Sequence, residues 1–295
     1  MNRRATSGIS LAPSYSLSVL KLTLWASGIA ALLAAAATAS GPMILAIIAG
    51  LAILYAHGLE LQHEALHGIL LPGERANRFA GLVLGAPMLA GFTDTRIRHL
   101  HHHRHVGTPG DVFDRSCRDF RSPRALFLHV FEPDRLLRFA GTTIAMAGGC
   151  RIAPHGRRSF AMARHEQILL AGLALALLAA GLGAAPRLLL VGWLIPAFVV
   201  APPLHFLMTA AEHLGRPTAT RRAEENARSY RAPSVWSYLV NFDNYHVEHH
   251  LCPAMPFHRL PRLYAARTGA DPETPGLREA ASEVAAAIVA CSRGS

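Results

Sequence analysis

Charge disappears from this chain in long blocks. No Asp, Glu, Lys or Arg occurs from Leu22 to Leu59 or from Gln167 to Pro186, and from Leu188 to Ala211 the only titratable side chain is His205. A helical residue rises about 1.5 Å, so about 20 apolar residues cross a hydrocarbon layer about 30 Å thick. The first block is long enough for two crossings, with "TASGP" at 38–42 as the turn, and "GAAPR" at 183–187 separates a second pair. The pattern predicts four transmembrane helices at about 16–38, 43–62, 167–184 and 188–211. A further apolar stretch, "FAGLVLGAPMLAGF" at 79–92, is too short to cross. It fits a helix lying in the interface or entering half-way. Four charge-free runs in two hairpins argue against a buried soluble bundle. The expected fold is therefore all-α and integral to the membrane, a single domain over 1–295. Its polar segments, 93–165 and 212–295, form a helical cap.

Composition sharpens the topology. Of 29 Lys and Arg, three lie in residues 1–21, fifteen in 61–166, one at Arg187 and ten after Glu212. With the N-terminus inside, 28 of them fall on the cytoplasmic side, the positive-inside pattern. Both termini and the cap are thus expected in the cytosol, at the cytoplasmic (inner) membrane. The net charge of +10 is then a matter of topology and anionic headgroups, and it gives no reason to expect a nucleic-acid partner. The basic start "MNRRATSGIS" runs into a whole span with no small-residue cleavage site, which reads as an anchor rather than a removed leader. Cys117, Cys150, Cys252 and Cys291 form no CxxC and are expected as reduced thiols.

The candidate chemistry is histidine. Seventeen are present, and none falls in an outer turn. "HEALH" places His63 and His67 at i, i+4, near the end of the second predicted span. "HLHHHRH" at 99–105 places His99, His102 and His103 at i, i+3, i+4. "HVEHH" repeats that spacing with His246, His249 and His250, and His213 closes the fourth span. On a helix such positions share one face. Each cluster can therefore aim two or three imidazoles at one point, and neutral imidazole is the commonest protein metal ligand. Nine ligands exceed one tetrahedral zinc. They suffice for two ions with positions left for oxygen or water.

Ligating imidazoles need acceptors for their other ring nitrogens. The candidates are Glu64, Asp111, Glu212, Asp243 and Glu248. Other histidines have plainer readings. His101 lies about 200° around the helix from His99 and points away, His105 sits near the ligands, and His57 is off the His63 face. His205, inside the fourth span, faces the bundle interior. His129, His155, His165 and His258 read as surface or interface residues.

The pattern HxxxH, HxxHH, HxxHH after the second and fourth spans resembles the membrane fatty acid desaturase/hydroxylase superfamily, from about Gly58 to Tyr264. Its most specific part is "NYHVEHHLCPAMPFHRLP" at 244–261, similar to the YHxEHHLxPxxPxxxLP signature of bacterial desaturase-like proteins and carotenoid ketolases. "HHRHVGTPGD" and "NARS" at 226–229 also resemble the ketolase branch. The resemblance implies four transmembrane helices topped by a cytosolic cap, with a non-haem centre of two Fe ions at the membrane boundary. The eight box histidines are its ligands, and His213 matches an additional histidine of many members. No catalytic residue beyond the ligands is implied. Dioxygen is the co-substrate. With no fused electron-transfer domain, electrons come from a separate ferredoxin- or rubredoxin-type donor and its reductase. His101 departs from the second box, where many members have another residue.

The activity this implies is an enzyme that desaturates or hydroxylates a C–H bond of a fatty acyl or lipid chain. A carotenoid ketolase or hydroxylase is the alternative. An all-histidine site with open positions suits non-haem iron, and a site fed from the bilayer is dry. A histidine-rich metal transporter or sensor is the competing class. It would place ligands along a path within the spans, whereas here they gather at helix ends.

Overall fold

The computed structural model describes residues 9–111, 113, 120–151, 156–269 and 273–293. Cys117 and His155 lie outside them. The described residues are overwhelmingly helical, with no strand among them and two isolated β-bridges, Ser229 with Tyr245 and Arg231 with Gly276. The long helices are α1 (Tyr15–Thr38), α2 (Met43–Leu66), α7 (Arg157–Ala184) and α8 (Leu188–His213), each long and apolar enough to cross a membrane. Between them lie α3 (Glu74–Gly85), α4 (Phe92–His105), α5 (Pro123–Phe131) and α6 (Arg135–Ala147). After them come α9 (Ala223–Asn226), α10 (Ser234–Leu239), α11 (His246–Leu251), α12 (Leu260–Thr268) and α13 (Leu277–Arg293).

The chain divides into two compact units. The spanning unit comprises Tyr15–Arg98 and Val130–His205; the histidine unit comprises Met1–Ser14, His99–His129 and Phe206–Ser295. In the spanning unit, α1 and α2 form the first hairpin, turned by Gly41 at φ +57 and Pro42. Ile47, Leu51, Ala52 and Tyr55 of α2 pack with Ala36, Met88, Ala197 and Ala201 in one core. Trp25, Leu61, Ala65, Leu84 and Phe92 form a second. Outward leucines such as Leu45 and Leu182, 70% and 72% exposed, suit hydrocarbon.

Three helix ends differ from expectation. α2 continues from 62 to Leu66, α8 reaches His213, and α7 starts at Arg157, ten residues before the expected 167. Helical hydrogen bonding does not stop where apolarity does, and the polar foot of α7 is held by its neighbours. Glu166 accepts from Arg78 Nε (2.7 Å), Thr93 N (2.6 Å) and Thr93 Oγ1 (2.7 Å). The stretch 79–92 does not cross. It breaks after α3 into a short 3₁₀ turn at Ala86–Met88, with Leu89 left-handed at φ 56, before α4 begins.

α8 begins as π-helix over Leu188–Leu194 and Pro196–Val200. Pro196 has no N–H to offer the carbonyl four residues back. That carbonyl belongs to Gly192, and it accepts from Tyr55 Oη at 2.5 Å instead. Cys150 and Cys252 are free thiols. Cys291 is disulfide-bonded, which corrects the expectation of a reduced thiol there. Spacing along a chain does not reveal which sulfurs a fold brings within bridging distance.

Gln62 links the α3–α4 connection to α2, donating to Gly81 O (2.8 Å) and Ala90 O (3.1 Å). A methyl at Gly85 would collide with the Ala90 carbonyl and the Gln62 amide, whereas Gly183 has no neighbour in the way. Gly85→Ala should destabilise the protein by about 1–3 kcal/mol, read as an earlier thermal transition in detergent. Gly183→Ala should leave the transition in place or raise it.

Candidate metal centre

The histidine unit collects seven of the nine candidate ligands. His99, His102 and His103 lie in the last two turns of α4, His213 ends α8, and His246, His249 and His250 lie on α11. The short helix α11 is fixed from both sides. Before it, Asn241 and Phe242 take left-handed φ of 48 and 63. Asn244 Nδ2 donates to Tyr230 O (2.8 Å), and Tyr230 N donates to Asn244 O (2.9 Å). At its start, Val247 N donates to Ser229 Oγ (3.1 Å), a side-chain cap.

The imidazoles form two groups. In one, His102, His213, His246 and His250 bring their Nε2 atoms together. His213 Nε2 is 3.2 Å from His102, 2.9 Å from His246 and 3.1 Å from His250, and His246 and His250 are 3.1 Å apart. In the other, His103 Nε2 lies 2.9 Å from His99 Nε2 and 3.1 Å from His249 Nε2.

The opposite ring nitrogens decide what these short distances mean. His102 Nδ1 faces the Asp111 carboxylate at 2.9 Å, His246 Nδ1 faces Asp243 at 3.0 Å, and His213 Nδ1 faces the Asn226 carbonyl at 2.8 Å. All three partners are acceptors, so in neutral rings Nδ1 carries the proton and Nε2 the lone pair. Three lone pairs about 3 Å apart cannot bond one another. They repel unless a cation sits among them. Rings holding a first-row ion at roughly 2.0–2.1 Å place neighbouring nitrogens about 3 Å apart at right angles. The donor set therefore fits a metal ion. Burial pushes the His250 imidazole well below its ordinary pKa, and the rings of His246, His213, His103 and His102 push it further. That favours the neutral, ligating form.

The remaining predicted residues divide. Glu212 lies 3.8 Å from His246 Nε2. Glu248, fully buried, accepts from Ser229 Oγ (2.5 Å) and from Arg267 Nε (2.7 Å) and Nη2 (2.6 Å), and so spends these bonds on other partners than the ligand rings. His63, His67 and Glu64 belong to the spanning unit. The two rings there lie 5.2 Å apart at the end of α2, and Glu64 is buried. His101 stacks on His105 (3.9 Å), His129 packs against Phe120 (5.1 Å) and Phe206 (5.7 Å), and His165 is exposed. His57 is buried within α2. His258 accepts from Arg259 at 3.1 Å, and burial followed by Arg259 and Arg262 lowers its pKa. His205 sits 3.4 Å from Glu60.

Several supporting residues are not among the candidates that histidine spacing picks out. "NARS" turns out to be structural at three positions. The Asn226 carbonyl holds His213, and Ser229 caps α11. Arg228 donates to Ala211 O (2.5 Å) and Leu214 O (3.1 Å) at the end of α8, and to Glu283 of α13 (2.9 Å). Arg267, within "LYAAR", has no motif to mark it. Glu60 and Lys21, both buried in the spanning unit, stand just outside the charge-free block.

The spanning unit also holds an apolar cavity of about 720 Å³, lined by Trp25, Ile29, Tyr55, Leu177, Gly192 and Trp193 among others. Its aromatic polar atoms are engaged in the walls: Trp25 Nε1 on Leu54 O (2.7 Å), Trp193 Nε1 on Pro87 O (2.9 Å) and Tyr55 Oη on Gly192 O. What remains is a hydrocarbon surface of ligand-pocket size.

Comparison with known proteins gives the family. The profile described as fatty acid desaturase matches residues 23–279, and the chain belongs to that family. Similar proteins include a beta-carotene ketolase of Paracoccus sp. (strain N81106 / MBIC 01143), 29% identical over 218 residues covering 72% of this chain and 74% of the relative. Another is a beta-carotene ketolase of Paracoccus sp. (strain PC1), 29% identical over 224 residues covering 73% and 76%. The chain is thus an integral membrane oxidoreductase of the desaturase–hydroxylase type.

Arg267→Met should strand the buried Glu248 carboxylate and cost roughly 2–4 kcal/mol, seen as a lower thermal midpoint. Arg267→Met with Glu248→Leu should recover part of that loss, because no buried charge is then left alone.

Proposed function

We propose that this protein is a dioxygen-dependent, non-haem di-iron oxygenase that oxidises a C–H bond of a long apolar lipid. The observation that carries the proposal is the gathering of imidazole lone pairs whose opposite nitrogens already face acceptors. The residues proposed to hold iron are His63, His67, His99, His102, His103, His213, His246, His249 and His250. When bound, the metal pair supplies reduction of dioxygen and removal of hydrogen from an unactivated C–H bond. The chain supplies the rest. Asp111 and Asp243 keep the protons of His102 and His246 on Nδ1, and the Asn226 carbonyl does the same for His213. Glu64, Glu212 and Glu248 are proposed to add negative charge that balances the cations; Glu248 does so from within its pair with Arg267. Electrons arrive from a separate protein donor.

We place the hydrocarbon of the substrate in the apolar cavity of the spanning unit. Tyr55 on its wall precedes His63 by eight residues on α2, about 12 Å along the axis. The dry walls exclude water from the lipid. A carotenoid, oxidised at a methylene to a ketone or alcohol, is the favoured substrate, because both relatives are beta-carotene ketolases and "HHRHVGTPGD" and "NARS" resemble that branch. A fatty acyl chain is the second reading, supported by the family profile. The metal site is proposed to face the cytoplasm, as the distribution of Arg indicates.

Purified protein should contain about two irons per chain, measured by elemental analysis; zinc or nickel with no oxygen uptake would point to a transporter or sensor. His102→Ala or His249→Ala should abolish product. Asp111→Asn should weaken iron retention or turnover about 10–100-fold. Expression in a carotene-producing host should yield oxygenated pigments. Unchanged pigments with altered membrane lipids would favour the acyl reading.

A further inference from the structure

We propose that α3 and α6 lie in the membrane interface as a collar on the spanning unit, with apolar faces in the acyl region and nearby arginines on anionic lipid headgroups. One exposed face of α6 is formed by Leu136, Leu137, Ala140, Gly141, Ile144 and Ala147, with no charge among them; Arg138, also exposed, lies to the side of it. Leu137 and Ile144 are 76% and 74% exposed, two turns apart on one stripe. Water is a poor solvent for such a face. The arginines of α6 lie off it and are paired locally: Arg138 with Glu132 and Asp134, and Arg135 with Glu132.

The depth of α6 is set by what holds it. Arg164 Nη2 donates to Ala147 O (2.7 Å), and Gln167 Nε2 donates to Thr143 Oγ1 (2.9 Å) and Phe139 O (3.4 Å). These bonds fasten the C-terminal half of α6, from Phe139 to Ala147, to Arg164 and Gln167 at the foot of α7. Gln167 is also where the charge-free run of α7 begins, and Ile168 and Leu169 just beyond it are exposed. The apolar face of α6 is thus continuous with the lipid-facing surface of a span. α3 is tied to the same level, through Arg78 and Glu166 at 2.7 Å, and exposes Phe79 and Val83 one turn apart.

Charge selects the kind of lipid. Arg75 precedes Phe79 by one turn, and Arg157 and Arg158 start α7, all exposed, against one exposed acid, Glu74, on α3. Cations at this depth attract anionic headgroups. Amphipathic helices at an interface behave in the same way.

The test uses the full chain with Cys150→Ser, reconstituted in vesicles of phosphatidylglycerol and phosphatidylcholine. Nitroxide labels at Ile144→Cys and Leu137→Cys should relax with oxygen and lose response to a water-soluble nickel chelate, while a label at Arg158→Cys should respond to the chelate. Arg157→Gln with Arg158→Gln should reduce the protein's preference for spin-labelled phosphatidylglycerol several-fold. Labels at 137 and 144 that respond to the chelate would overturn the proposal, because the face is then in water. Labels silent to both reagents would also overturn it, because a protein, including a second copy, then covers the face. An unchanged lipid preference would overturn the anionic assignment.

Discussion

The histidine unit rests on one electrostatic constraint: like lone pairs held about 3 Å apart. His102, His213 and His246 come from α4, α8 and α11, and none can satisfy another because each already gives its proton to an oxygen acceptor. Neutral imidazoles arranged in this way resist assembly on their own. Much of the surrounding structure opposes that resistance. Arg228 closes the end of α8 beside His213, Ser229 caps α11, and the buried Glu248–Arg267 pair fastens α11 to α12. A bound cation would turn the repulsion into cohesion, and its binding energy would then be part of folding.

The spanning unit answers a different requirement. Its helices keep polar groups satisfied inside an apolar layer. Pro196 breaks the hydrogen-bond ladder and Tyr55 repairs it at Gly192; Tyr55 and Gly192 also line a cavity whose wall is otherwise hydrocarbon. An enzyme acting on a lipid needs such a place, free of water and of competing hydrogen bonds. In this reading the π-helical start of α8 is a means of making room without exposing backbone.

The legible features were those with a strong one-dimensional signature. Four charge-free runs gave away four crossing helices, because nothing else in a chain of this length demands so many uncharged residues in sequence. Histidines at i, i+3 and i+4 announced a shared face. Asp111 is a candidate acceptor because ligating imidazoles need one, and its carboxylate lies 2.9 Å from His102 Nδ1. What stayed hidden depends on tertiary contact. That α7 is one helix from Arg157 is not marked by apolarity; its polar foot is held by Arg78 and Thr93 on Glu166 and by Thr143 on Gln167. Arg267 belongs to no motif, and its partner Glu248 looked like a group for a ligand ring. The bridged Cys291 was equally invisible.

X-ray absorption at the iron edge, on protein expressed with iron, tests the central claim most directly. The account predicts a nearest shell of imidazole nitrogens at roughly 2.1 Å, without sulfur, and a reduced imidazole contribution in His213→Ala. An iron-free yet active protein, or a shell that contains sulfur or no imidazole, would contradict it.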